Sequence, residues 1–163
     1  MIAIVAVDKN WGIGRDGDQL LYIPEDLKRF RQFTTGNTIV LGRKTVATFP
    51  GGKPLKNRRN LILSRNPDYK PEGGEAYPDM ESLMAQVTDP DNTYVVGGAS
   101  VYHTMIGQCD KAYVTKIDAE YPADCWFPNL DEDPAWEAYE VSEELEHEGV
   151  KFRYVNYRRK NNG

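Results

Sequence analysis

Short apolar runs that lead through a glycine, serine or aspartate into the next segment constrain this chain more than any other feature. Ile2–Val7, Thr38–Leu41, Arg59–Leu63, Thr93–Val96 and Ala112–Ile117 are rich in the β-branched, aromatic and aliphatic residues that suit a pleated surface. Helical patterns lie between them at Pro24–Thr34, Lys44–Thr48, Met80–Gln86 and Ala99–Met105, and Asp79 suits the N-cap of the third. Strands that alternate with helices are joined by right-handed crossovers, which implies an α/β fold with a mostly parallel sheet. Trp136–Val141 and Lys151–Tyr157 have no clear helix between them and are expected to pair antiparallel, so the sheet is mixed. The chain has 163 residues, about one domain's worth, and shows no repeat and no interdomain linker.

Composition narrows the function classes. No run is long and apolar enough to cross a bilayer, and Met1–Asp8 reads as a core strand rather than a signal peptide. Cys109 and Cys125 make no disulfide framework, and His103 and His147 give no metal-site spacing. A cytoplasmic, reduced, metal-free protein is expected. The net charge of −5 is uneven: residues 1–70 carry +7 and residues 71–163 carry −12. The basic half suits an anionic ligand. No basic helix or basic–aromatic strand pattern points to nucleic acid, so a small anion is expected instead.

One carboxylate stands out. Pro24 suits the first helical position, and Ile23, Leu27, Phe30 and Phe33 recur at helical spacing as a stripe expected to be buried. Asp26 lies at the edge of that stripe. A carboxylate held against apolar surface binds its proton more tightly and can do acid–base work near neutral pH. Acidic residues are also common in a helix's first turn, where they complement the dipole. Alone, this segment favours that plainer role.

Three strand ends share a character that suits phosphate. Gly42-Arg43-Lys44-Thr45 follows one strand, Ser64-Arg65 another, and Gly97-Gly98-Ala99-Ser100 a third. Glycine lets a ligand approach bare backbone, the start of a helix offers free N–H groups, and arginine and lysine add charge. Together they match a dinucleotide, and two arginines near one ribose favour a 2′-phosphate. Gly12-x-Gly14-x-x-Gly17 matches the usual dinucleotide fingerprint as letters, but it does not open a helix, so a standard Rossmann site is rejected. The glycine-rich loop Asn10–Asp18 could move over a site, and Gly51-Gly52-Lys53-Pro54 reads as a second flexible turn.

In this order the motifs resemble the dihydrofolate reductase family across nearly the whole chain. Val5-Ala6, Ile13-Gly14-Arg15-Asp16-Gly17, Ile23-Pro24-Glu25-Asp26-Leu27, Gly42-Arg43-Lys44-Thr45, Pro54-Leu55-Lys56-Asn57-Arg58, Val95-Val96-Gly97-Gly98, Val114-Thr115-Lys116 and Asp124-Cys125-Trp126-Phe127-Pro128 carry the likeness. The resemblance implies a three-layer fold of one domain over residues 1–163. It would have a mixed sheet of about eight strands, a C-terminal antiparallel hairpin and about four helices on both faces. It also implies a monomer that reduces dihydrofolate with NADPH and binds antifolates.

The resemblance assigns roles residue by residue. Asp26 would bind the pterin amidine edge and help deliver a proton to N5, with the Thr115 hydroxyl supporting it. Val5, Ala6, Leu27, Phe30 and Phe49 would form apolar walls, and Arg58 would pair with the α-carboxylate of the glutamate tail. Arg43, Ser64 and Arg65 would hold the 2′-phosphate of NADPH. Gly42, Lys44, Thr45, Gly97, Gly98, Ala99, Ser100 and Val101 would lie along its pyrophosphate region, and Ala6, Ile13, Val96 and Tyr102 along its nicotinamide. A cis Gly97–Gly98 bond and a cis proline near Pro54 are implied as well. One segment departs from the family's Leu-Pro-Trp: Gln19-Leu20-Leu21-Tyr22 stands there, with no indole N–H. A pyrimidine reductase of the same fold and a catalytically weak pterin- or NADPH-binding protein are the alternatives.

Overall fold

Strand β1 (Ile2–Val7) shows how the layers of this computed structural model, which describes residues 1–160, arise. Side chains alternate across a strand, so Ile2 and Ile4 point one way and Ala3, Val5 and Val7 the other. Ile2 and Ile4 join Ile39, Leu41 and Ile62 in one cluster, closed by Val46 and by Phe30, Phe33 and Phe49. Ala3, Val5 and Val7 join Val40, Leu61 and Val95 in another, closed by Leu83, Val101 and Met105. The first cluster seats α1 (Pro24–Thr34) and α2 (Arg43–Val46), and the second seats α3 (Met80–Met84) and α4 (Ala99–Met105).

The other strands are β2 (Gly12–Gly14), β3 (Thr38–Gly42), β4 (Arg59–Leu63), β5 (Glu75–Tyr77), β6 (Thr93–Gly97), β7 (Lys111–Ile117), β8 (Cys125–Trp126), β9 (Trp136–Val141), β10 (Leu145–His147) and β11 (Val150–Arg159). Nine of the described strands form one sheet in the order β10-β11-β7-β1-β6-β3-β4-β5, with β9 beside β11. All pairs from β7 to β5 are parallel, and β11 runs antiparallel to β7, β9 and β10. The chain moves from β1 out to β5 over one face and returns to β6 and β7 over the other. Neighbouring β1 and β6 therefore feed connections that leave in opposite directions, and a crevice opens above their carboxyl ends.

The expected strands all form, and the antiparallel pairing of the last two long ones is present. The mixed sheet of about eight strands is present and counts nine among the described residues; β5 and β10 have three residues each, too few to show a period. Strands β2 and β8 pair as a separate ribbon, with β2 inside the segment expected to be a loop. Two helices are shorter than expected. Beyond Val46 and Met84 the bonding loosens to i→i+3, with Phe49 N donating to Val46 O at 3.0 Å and Val87 N to Met84 O at 3.1 Å. Asp79 does cap α3, accepting from Ser82 N at 2.7 Å.

Other expectations also change. Only Ile23 of the α1 stripe is fully buried; Leu27, Phe30 and Phe33 are half-buried, because α1 overhangs the crevice instead of sealing the core. Gly97–Gly98 is cis, as expected, but the bond before Pro54 is not. The bend there is made earlier, by a 3-10 turn at Pro50–Gly52 in which Gly52 N donates to Phe49 O at 2.8 Å.

Candidate active site

Asp26 enters the crevice from the first turn of α1, one residue before Leu27. Thr115 Oγ1, near the carboxyl end of β7, donates to Asp26 Oδ1 at 2.5 Å. Burial raises the proton affinity of Asp26 above that of an ordinary aspartate; the Thr115 hydrogen bond and the charge of Arg29 oppose the rise without cancelling it. Thr115 stands directly across from Ala6 in the β7–β1 register. The acid is thus tied to one strand and faces the end of the next. Such a group holds its proton more tightly than an ordinary carboxylate, and in its charged form can accept two N–H bonds from a planar cation or amidine.

The remaining strand ends follow in spatial order. After Thr115 on β7 and Ala6 on β1 come Val96 and Gly97 on β6, Gly42 on β3, and Ser64 just past β4. Four strand intervals of about 4.8 Å give a row roughly 19 Å long. Gly97 has φ +126, a conformation that disfavours any side chain. A Cβ at Gly98 would lie 3.4 Å from Thr45 Oγ1, so α2 and the β6–α4 turn face one another across bare backbone. A Cβ at Gly42 would meet Val101 at 3.4 Å, which binds the same two turns together from below.

Cations flank this row at its far end. Arg43 is exposed and stacks on Tyr69, with its guanidinium carbon 4.5 Å from the ring centre. Lys44, Arg65 and Ser100 are exposed, while Ser64 and Thr45 are half-buried. Val101 and Tyr102 belong to the core, and the Tyr102 hydroxyl donates to Ile4 O at 2.7 Å. Tyr102 presents its ring edge and its hydroxyl oxygen toward Gly97. Ile13 and Val96 are half-buried, as are Phe30 and Phe49 on the opposite wall, and Val5 is buried.

Arg58 lies beyond the C-terminal end of α1. Its Nε donates to Thr34 Oγ1 at 2.9 Å, Nη1 to Lys56 O at 2.8 Å and Nη2 to Thr35 Oγ1 at 3.2 Å. Three of five donor hydrogens are used, and the fork is held by its base. Desolvation and the neighbouring Arg31 both weaken its hold on its own proton. Arg31 is a neighbour that the sequence reading did not single out; its spacing of three from Thr34 on α1 was the available sign.

The glycine-rich segment is more built than a plain loop. Asp8 is buried and accepts from the backbone of Asn10, Gly12 and Tyr121, at 2.9, 2.8 and 3.0 Å. Trp11 is buried and stacks with Phe127 at 6.3 Å between ring centres. β2 pairs with β8, Phe127 N donates to Trp11 O at 2.8 Å, and Asp124 Oδ2 accepts from Asp16 N at 2.8 Å. The backbone-binding roles of Asp8, which is buried, and Asp124, which is exposed, were not anticipated, since a carboxylate that accepts from distant backbone has no local signature. In the departing segment, Leu21 packs with Ile23, Ile117 and Ala6, whereas Tyr22 is half-exposed.

Fold and site define a class: an α/β protein with a ligand cleft across its carboxyl strand ends, an ionisable acid at one end and a backbone cradle flanked by cations at the other. Comparison with known proteins narrows it. The family model for dihydrofolate reductase matches residues 1–159. Dihydrofolate reductase of Bacillus subtilis is 35% identical over 79% of this chain and 76% of its own. Dihydrofolate reductase HdrB of Haloferax volcanii is 35% identical over 98% of this chain and 83% of its own. The structure of dihydrofolate reductase from Enterococcus faecalis, complexed with NADP(H) and RAB-propyl, superposes with a TM-score of 0.84 at 32% identity, covering 98% of this chain and 96% of that one. The chain belongs to the dihydrofolate reductase family.

Proposed function

We propose that this chain reduces 7,8-dihydrofolate to 5,6,7,8-tetrahydrofolate with NADPH, and that Asp26 handles the proton destined for pterin N5. The observation that carries the reading is the order of the strand ends: acid and hydroxyl at β7, small apolar wall at β1, glycine cradle at β6, cations at β3 and β4. An extended dinucleotide could lie along that row, with Arg43 and Arg65 available to its adenosine phosphate and the acid at the other end. The match of the family model over residues 1–159 sets the pyrimidine reductase aside.

The residues present fit NADPH, because the Gly97–Gly98 backbone and Thr45 leave a surface that any Cβ would fill. When bound, NADPH supplies the hydride that reduces pterin C6. Gly42, Lys44, Thr45, Gly97, Gly98, Ala99, Ser100 and Val101 would hold its pyrophosphate region. Arg43, Ser64 and Arg65 would take the 2′-phosphate, and Ala6, Ile13, Val96 and the Tyr102 edge would flank the nicotinamide.

Asp26 Oδ1 is engaged by Thr115, which leaves Oδ2 and further lone pairs for the amidine edge of a pterin or of an antifolate. Val5, Ala6, Leu27, Phe30 and Phe49 exclude water from the flat faces of the ring, so that charge at the acid is felt strongly. Burial makes Asp26 bind a proton more tightly than an ordinary aspartate, and a proton relayed from it to N5 through water would make the C6=N5 bond a better hydride acceptor. Arg58 offers its two remaining hydrogens to the glutamate α-carboxylate, a planar anion that suits the fork. On this reading the chain works as a cytoplasmic monomer. No helix among the described residues is long and apolar enough to cross a membrane, and Cys109 and Cys125 are both free.

Spectrophotometric loss of NADPH with dihydrofolate, run beside Asp26→Asn, tests the proposal. Turnover by the parent chain and its collapse in the variant are expected. NADPH binding without turnover would overturn it.

A further inference from the structure

Asp26 and Arg29 are three residues apart on α1 and so share a face. Arg29 is not a free surface cation. Its guanidinium carbon sits 4.0 Å from the centre of the Tyr154 ring, 5.0 Å from Phe33 and 5.9 Å from Tyr113. Nη2 donates to Asn156 Oδ1 at 3.3 Å. Side chains from α1, β7 and β11 thus fix the charge in an aromatic box. On its outer flank, a groove lined by Glu25, Lys28 and Gln32 keeps one side of the guanidinium wet. The box is costly for a cation, since burial weakens the hold of Arg29 on its proton, and the charge of Asp26 is the largest of the contributions that offset this.

Among the described residues Arg29 makes no contact ion pair with Asp26, whose one side-chain partner is Thr115. That separation matters chemically. A guanidinium bound directly to the carboxylate would occupy the lone pairs that a pterin needs. A charge held behind the acid acts through space and leaves them open. Other groups also face the acid: Thr115 from β7, Tyr154 from β11 and Tyr102 from α4, while Tyr113 of β7 and Glu140 of β9 lie near Arg29 and Glu25 of α1 lies near Tyr154. Arg29 is the one cation in this set.

We propose that Arg29 is a positioning residue for the reduction, a boxed cation that offsets the cost of burying charge on Asp26 while leaving its oxygens to Thr115 and substrate. The inference rests on the reading of Asp26 as the proton-handling group. The opposing influences agree in sign with it: burial raises the proton affinity of Asp26, and the charge of Arg29 lowers it. The departing segment leaves this task to few groups, because Leu21 is packed away and carries no polar atom on its side chain.

The test titrates the Asp26 carboxyl carbon by NMR in the ligand-free full chain, for the parent, Arg29→Gln and Arg29→Lys. Gln keeps a polar head that can reach Asn156 but loses the charge; Lys keeps the charge. The midpoint is expected to move upward in R29Q and to stay near the parent value in R29K. The pH profile of NADPH oxidation with dihydrofolate should move the same way. An unmoved midpoint in folded R29Q, or equal shifts in both variants, would overturn the proposal. Should R29Q lose its fold, Arg29→Met carries the same expectation without a polar head. Failure of the underlying reading looks different: Asp26→Asn would keep full activity whatever Arg29 does.

Discussion

At the β6–β3–β4 end of the cleft, the groups proposed to meet a ligand belong to runs of two to five consecutive residues. At the β7 end they are assembled from afar: Asp26 and Thr115 are 89 residues apart, and Arg29 and Asn156 are 127 apart. The first end is mostly backbone, with cations standing in water. The second is side chains, half removed from water and held by one another. A phosphate needs many weak donors and tolerates solvent, whereas a proton-handling acid needs a controlled local dielectric. The two ends therefore answer differently to substitution.

The sharpest way to break the comparison is Asp26→Asn. Removing a positioned acid or base costs about 10² to 10⁴ in rate. A loss of that order in kcat/KM at neutral pH is expected, partly regained as pH falls and solvent supplies the proton. A flat response would reduce the β7 end to scaffold. Next comes Arg58→Leu. Loss of charge-assisted hydrogen bonds costs about 2 kcal/mol, about thirtyfold in the Kd for dihydrofolate. The Kd for NADPH should hold, and equal losses for both ligands would mean that the cleft is not divided as described.

At the solvent-exposed end effects should be smaller and additive. Replacing Arg43 or Arg65 by leucine is expected to narrow the preference for NADPH over NADH by about tenfold each, about 1.4 kcal/mol. Competition kinetics with the two cofactors reads this directly, and an unchanged ratio would move the 2′-phosphate elsewhere. The smallest effect is one of stability. Burial raises the pKa of Asp26 above its unfolded value, so below the unfolded value both states are protonated and nothing differs. As pH rises toward the folded value, only the unfolded state sheds the proton, and the fold loses stability. The Asp26→Asn variant has no proton to shed there and escapes that loss. It should melt slightly higher than the parent at neutral pH, and the two curves should converge in acid.

The same contrast explains what could be seen in the sequence. Gly42-Arg43-Lys44-Thr45 and Gly97-Gly98-Ala99-Ser100 are legible because strand, glycine and helix start are adjacent letters. The strand and helix alternation is legible for a similar reason, and β1, β4, α1 and α4 have the expected bounds. Asp26 was visible as a candidate but read alone favoured a plain helix-capping role; only motif order raised it. Arg29, Asp8 and Asp124 were not visible. Their meaning depends on aromatic rings and backbone amides that lie far off in the chain. β5, β8 and β10 escaped because strands of two or three residues are fixed by their partners rather than by any pattern of their own.

Strand β11 is made after every other element described, yet it lies inside the sheet between β7 and the β9–β10 edge. It also brings Tyr154 and Asn156 to Arg29. Until translation has passed Arg159, β9 and β10 have nothing to join and the outer side of β7 is open to any passing strand. The electrostatics around the acid therefore wait for this stretch, whereas every group proposed to meet the nucleotide has by then been made. Ribosome-stalled fragments that stop before Val150 should bind a nucleotide affinity resin better than a folate one, and should recruit chaperones to the bare edge.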